Sequence, residues 1–106
     1  MVKRITQWHP REGIDETEAL RYWKDEHARL VERVPGVRRY VQNRCITGRG
    51  AAEPQYAGLG EVWFESLEDA ERALASPEWN AVIEDASTFM DLERVTAAWV
   101  EEQLVT

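Results

Sequence analysis

Few side chains in this chain could do chemistry, and His27 is set apart from them by its position. It lies in a segment whose apolar residues, Leu20, Trp23, Leu30, Val31 and Val34, recur at helical spacing. Advancing about 100° per residue, these five fall within one arc, and His27 lies near its middle. Its imidazole therefore points at the interior and not at water. A buried imidazole must satisfy two nitrogens, and its basicity then depends on what it meets. Two roles fit that position. One is a core histidine hydrogen-bonded to a backbone carbonyl; the other is a general acid or base at the floor of a cleft. Spacing alone does not choose between them.

Tyr40 follows a Pro35-Gly36 turn. It could be a packing tyrosine at a sheet edge, or a phenol that donates to a developing oxyanion. Cys45 has no histidine near it in sequence and no helix start to depress its pKa, so it reads as a small packing residue. His9 precedes Pro10 at a strand end. A metal held by His9, His27 and Glu26 would lack any ligand pair at helical metal spacing, and no metal is expected. Trp23, Trp63, Trp79 and Trp99 read as core, with some able to line a cavity wall.

The elements that must position these groups alternate clearly. Val2–His9 reads as a strand ended by Pro10 and Gly13. Asp15, with Glu18 three residues on, has capping-box spacing and opens a helix to about Val34. A strand over Val37–Thr47 would place Tyr40, Gln42, Arg44 and Ile46 on one face, with Val41, Asn43 and Cys45 on the other. Gly48, Gly50 and Pro54 mark a loop before a third strand, Ala57–Glu65. Ser66 with Asp69, and Ser76 with Pro77, open two further helical pieces. A last strand spans about Leu92–Val100. The order is βαββαβ, the α+β arrangement of ferredoxin-like domains, over one domain of residues 1–106. Helices then cover one sheet face only, and a second copy of the chain is the simplest cover for the other, so a homodimer is expected.

Composition narrows the function. Thirteen basic residues face twenty acidic ones, for a formal net charge of −7, which disfavours nucleic acid as a partner. The one basic cluster, Arg38, Arg39 and Arg44, is short and sits in a strand. A single cysteine excludes an internal disulfide and a cysteine metal cage. No run approaches membrane-spanning length and Met1–Arg4 is not followed by a signal-peptide stretch, so a cytoplasmic location and no membrane partner are expected. No glycine-rich phosphate loop, nucleophile elbow or dinucleotide fingerprint is present, and chemistry without a bound organic cofactor is expected.

The run Tyr22-Trp23-Lys24-Asp25-Glu26-His27-Ala28-Arg29-Leu30, followed by Pro35-Gly36-Val37-Arg38-Arg39-Tyr40, resembles the EthD family of dimeric α/β barrel proteins. Gly60-Glu61-Val62-Trp63-Phe64 is similar to its third strand, and Val100-Glu101-Glu102 to its carboxyl end. The resemblance implies a ferredoxin-like monomer whose sheet joins a partner's into a barrel, with a pocket between sheet and helices. Family members include proteins encoded with ether-degrading oxygenase systems, methylmuconolactone methylisomerases, and polyketide cyclase-like proteins. In isomerase-type members a helix-one histidine and the tyrosine after the turn lie at the active site, and these carry over to His27 and Tyr40. Those members have a cysteine where this chain has Val62, so methylisomerase activity is not supported. The leading expectation is a cofactor-independent isomerase, cyclase or lyase acting on a small hydrophobic, oxygenated compound. His27 would move the proton, Tyr40 would bind the substrate oxygen, and Trp23, Val62 and Phe89 would form walls. The rivals are a non-catalytic binding accessory of an oxygenase pathway and a cofactor-free oxygenase.

Overall fold

The computed structural model describes residues 1–106. Strand β1 is Val2–Trp8, followed by helix α1, Glu16–Tyr22, a single π-helical turn, Trp23–His27, and helix α2, Ala28–Glu32. Strands β2, Arg39–Arg44, and β3, Gly58–Phe64, come next, then helices α3, Leu67–Leu74, and α4, Pro77–Ala86. A 3₁₀ turn at Leu92–Arg94 leads into strand β4, Thr96–Glu101. All strand pairs are antiparallel and the sheet order is β2-β3-β1-β4. That is the ferredoxin-like α+β fold the element order implied. No helix is long and apolar enough to cross a membrane.

Local chemistry fixes the helix starts. Asp15 Oδ2 accepts from the Glu18 N–H, Ser66 Oγ from the Asp69 N–H and Ser76 Oγ from the Trp79 N–H. Pro77 occupies the first turn of α4, where a missing N–H costs nothing. Glu18 does not close the capping box; its carboxylate turns to Arg21 instead. Strands β2 and β4 are shorter than residue alternation predicts. β2 stops at Arg44, and residues 92–94, read as the start of the last strand, form the 3₁₀ turn capped by Asp91.

The helices cover one face of the sheet, and the core there is in two parts. One joins Val31 and Val34, Val62 and Phe64, Ala70 and Ala73, and Trp79 and Val82. The other joins Trp8, Ala19, Trp23, Ala57 and Phe89. Of the tryptophans expected in the core, Trp23, Trp63 and Trp79 are buried and only Trp99 is not. Trp63 is buried on the helix-free face, between the Lys3 and Arg39 cations, with its indole N–H donated to Glu102 Oε1. Trp99 is 42% exposed, because no helix reaches over the edge strand β4.

Candidate active site

The π turn is the local feature on which the site depends. Its extra residue shows in the backbone, where the Ala28 N–H bonds to the Trp23 carbonyl five residues back. That carbonyl also accepts from Gln42 Nε2 on β2, at 2.8 Å. Gln42 thus ties the helix to the sheet at the widened turn. Trp23 and His27, the first and last residues of the turn, are both buried. Opposite Trp23 the sheet is cut away. A Cβ on Gly58 would sit 2.6 Å from Trp8 Nε1 and 2.7 Å from Trp23 Cζ3, so only glycine lets both indoles lie against β3.

His27 Nδ1 lies 2.8 Å from Oδ2 of Asp85, on α4. The other carboxylate oxygen, Oδ1, accepts from the Tyr22 hydroxyl at 2.5 Å. A carboxylate can only accept, so Nδ1 carries the hydrogen of the neutral ring and Nε2 keeps a lone pair. Burial holds the His27 pKa below its ordinary value, with the hydrogen bond and charge of Asp85 pulling the other way. The ring is therefore neutral near pH 7, fixed in one tautomer, with its basic nitrogen unpartnered. Hydrogen bonding to Asp85 and then burial raise the Tyr22 pKa, so this phenol stays protonated as a donor. Phe89 packs edge-on to the imidazole, with ring centres 5.1 Å apart, and also meets Trp8 and Tyr22.

The two parts of the core do not close against each other at His27. A cavity of about 80 Å³ lies at the seam, and His27 is in its wall. Trp8 and Trp23 line one side, and Val31, Trp79, Val82 and Ala86 line another. Ile83 and Leu92, both 42% exposed, stand at the solvent side. The sheet contributes a row of three residues paired across strands, Tyr40, Val62 and Arg4, and Thr6 beside them. Val62 is the floor between a phenol and a guanidinium.

Tyr40 accepts at its oxygen from Gln42 Nε2, at 2.9 Å, which leaves its own O–H free to donate. Burial pushes its pKa up to about 12, so it acts as a neutral donor. Arg4 makes no ion pair or hydrogen bond with the chain; its guanidinium lies over the Trp79 ring, 5.3 Å from the centroid. Burial lowers the Arg4 pKa without discharging the group. The cavity therefore brings together an oriented base, a neutral hydroxyl donor and an uncompensated cation within apolar walls.

Of the residues singled out from sequence, His27, Tyr40, Trp23 and Val62 all line this cavity. Phe89 does not reach it; the ring braces His27 from behind, and Met90 takes the lining position. Asp85, Tyr22 and Arg4 were not foreseen. The His9 ring packs at a tilt against Tyr56, with centres 4.9 Å apart, and no three His, Cys, Asp or Glu side chains come together as a metal site. Cys45 is half-buried in a separate, shallow groove of about 490 Å³ beside Arg21, Lys24 and Arg44. Arg21 there is already paired with Glu18 and Asp25, and no oriented base faces that groove.

The strand order and the walled cavity between sheet and helices define a ferredoxin-like protein of the small α+β type. Residues 11–93 match the model of the EthD domain, and the chain belongs to the EthD family. It is 31% identical, over 84 residues, to an uncharacterized 11.0 kDa protein of the thcB-thcC intergenic region of Rhodococcus erythropolis, covering 79% of this chain and 80% of that protein. It is similar to a crystal structure of an ethyl tert-butyl ether d (EthD) family protein from Bacillus halodurans C-125. Identity there is 26%, the TM-score is 0.82, and 97% of this chain and 99% of that one are covered. The fold also recurs in SnoaB, a cofactor-independent oxygenase from Streptomyces nogalater, at 12% identity and a TM-score of 0.67, covering 98% and 94%. A dimeric ferredoxin-like protein from Bacteroides fragilis shares it at 14% identity and a TM-score of 0.69, covering 95% of each chain.

Proposed function

We propose that this protein is a cofactor-independent isomerase, cyclase or lyase in which His27 moves a proton on a small, largely apolar, oxygenated compound. The observation that carries the reading is the His27–Asp85 pair, with Nε2 unpartnered in the wall of a mostly apolar cavity. A carbon acid within reach of a neutral imidazole is one next to a carbonyl, because the departing proton then leaves an enolate. Nε2 takes that proton and the Tyr40 O–H donates to the enolate oxygen, where charge develops. Asp85 stabilises the imidazolium that forms, and the same imidazolium returns the proton at a new position or to a leaving oxygen. Trp23 and Val62 hold the apolar part of the substrate, and Phe89 holds the imidazole. A homodimer joined through the helix-free sheet face completes the proposal. It is supported by the strand β4, uncovered by any helix, and by the dimeric relatives of this fold.

The test begins with the small molecules that survive purification on the wild type and disappear from His27→Ala, identified by mass spectrometry. Incubation of the recovered compound with fresh enzyme should give a product of equal mass, or one lighter by water, without consuming dioxygen. Recovery of unaltered ligand after long incubation would favour a binding accessory instead. Product formation that stops without dioxygen would favour an oxygenase.

A further inference from the structure

The proposed proton transfer leaves one charged group of the cavity without work. Arg4 stands in the wall on the same cross-strand row as Tyr40, with Val62 between them. Lys3, the neighbouring cation of β1, lies 3.4 Å from Glu61 and 3.5 Å from Glu102. Arg4 has none, and its only electrostatic partner is the face of Trp79. Holding a half-buried guanidinium without a counter-charge costs stability, and its N–H donors have no partner in the chain. We propose that Arg4 is the anion-receiving group of the cavity, and that the natural ligand carries a carboxylate which pairs with it. This rests on the reading of the cavity as a ligand site and deepens it. The substrate becomes a small organic acid with an enolisable carbonyl, its carboxylate at Arg4 and its reacting carbon toward His27. The planar fork of arginine suits the two oxygens of a carboxylate, and apolar surroundings strengthen the pair.

Butanoate and its neutral isostere butanamide are small enough to probe the site. Binding is followed by NMR through the indole N–H signals of Trp8, Trp23 and Trp79 and the ring signals of His27. The wild type should bind butanoate roughly tenfold or more tighter than butanamide, the scale of one charge-assisted pair. Arg4→Met should bind the two alike, and Arg4→Lys should keep part of the preference. Arg4→Met removes an unpaired cation, so it should melt no lower than the wild type and the loss cannot be laid to misfolding. His27→Asn should keep the full preference. An anion site that fails is thereby separated from a proton carrier that fails, since turnover depends on His27 and discrimination on Arg4. Equal or absent responses to the two probes in the wild type, or a preference that survives Arg4→Met, would overturn the assignment.

Discussion

Replacing His27 by Ala should lower turnover by roughly 10²–10⁴, the usual worth of a positioned base, while a Tm measurement shows the chain still folded. Its pH dependence carries a definite sign. Burial lowers the His27 pKa in the folded chain, so the base is free across neutral pH, and kcat/KM should rise through a pKa below 6.5 and then stay flat. Asp85 is the group that opposes the shift, so Asp85→Asn should move that inflection to still lower pH and reduce the plateau. Stability follows the same linkage. Below about pH 6.5 the unfolded histidine binds a proton that the folded one resists, so stability falls on acidification until the lowered folded pKa is passed. His27→Gln should flatten that part of the melting-temperature profile. The inward direction of His27 was legible because helical periodicity is local. Asp85 lies 58 residues away, at the margin of the apolar stripe of α4, and nothing local says which helix α4 packs beside. Arg4 was illegible for a related reason, since a charged residue on the same strand face as Val2 and Thr6 looks solvated until the helices are placed above it.

At the scale of elements, the site depends on one widened helical turn and on a strand trimmed to receive it. Gln42 donates to both the Trp23 carbonyl and the Tyr40 oxygen, so Gln42→Leu strips a buried carbonyl and a phenol of one partner each. Thermal or denaturant unfolding should show a loss of about 1–3 kcal/mol, accompanied by weaker ligand binding. Gly58→Ala would place a methyl group 2.6–2.8 Å from atoms of Trp8 and Trp23. It should cost about 1–3 kcal/mol by overpacking and displace Trp23 into the cavity. Gly60→Ala has its nearest contact with Thr6 Oγ1, at 3.1 Å, and should be milder. The strands and helices themselves were readable from alternation, caps and Pro-Gly punctuation. The π turn was not, because nothing in the residue types of Trp23–His27 marks an extra residue, and the Gln42 bond to the Trp23 carbonyl comes from a strand distant in sequence.

For the whole molecule, the helix-free sheet face is a mixed surface. Ile5, Val41 and Ala98 form an apolar row around Glu61, and Trp63 lies sealed between cations beside them. If this face joins two copies, sedimentation at micromolar concentration should give a dimer, and Ile5→Asp should give a folded monomer. The fold was legible from element order because βαββαβ admits few packings. The cavity was not, because it is a seam between two parts of one core and exists only when both are assembled. In the proposed chemistry, Nε2 of His27 takes a proton from the carbon of a bound carbonyl compound. The most direct measurement is hydrogen exchange in deuterium oxide, followed by proton NMR on the ligand recovered from the cavity and on butanone as a simple ketone. The wild type should wash deuterium into the position next to the carbonyl far faster than buffer does, and His27→Asn should not. Absence of any acceleration, or acceleration that His27→Asn retains, would contradict it.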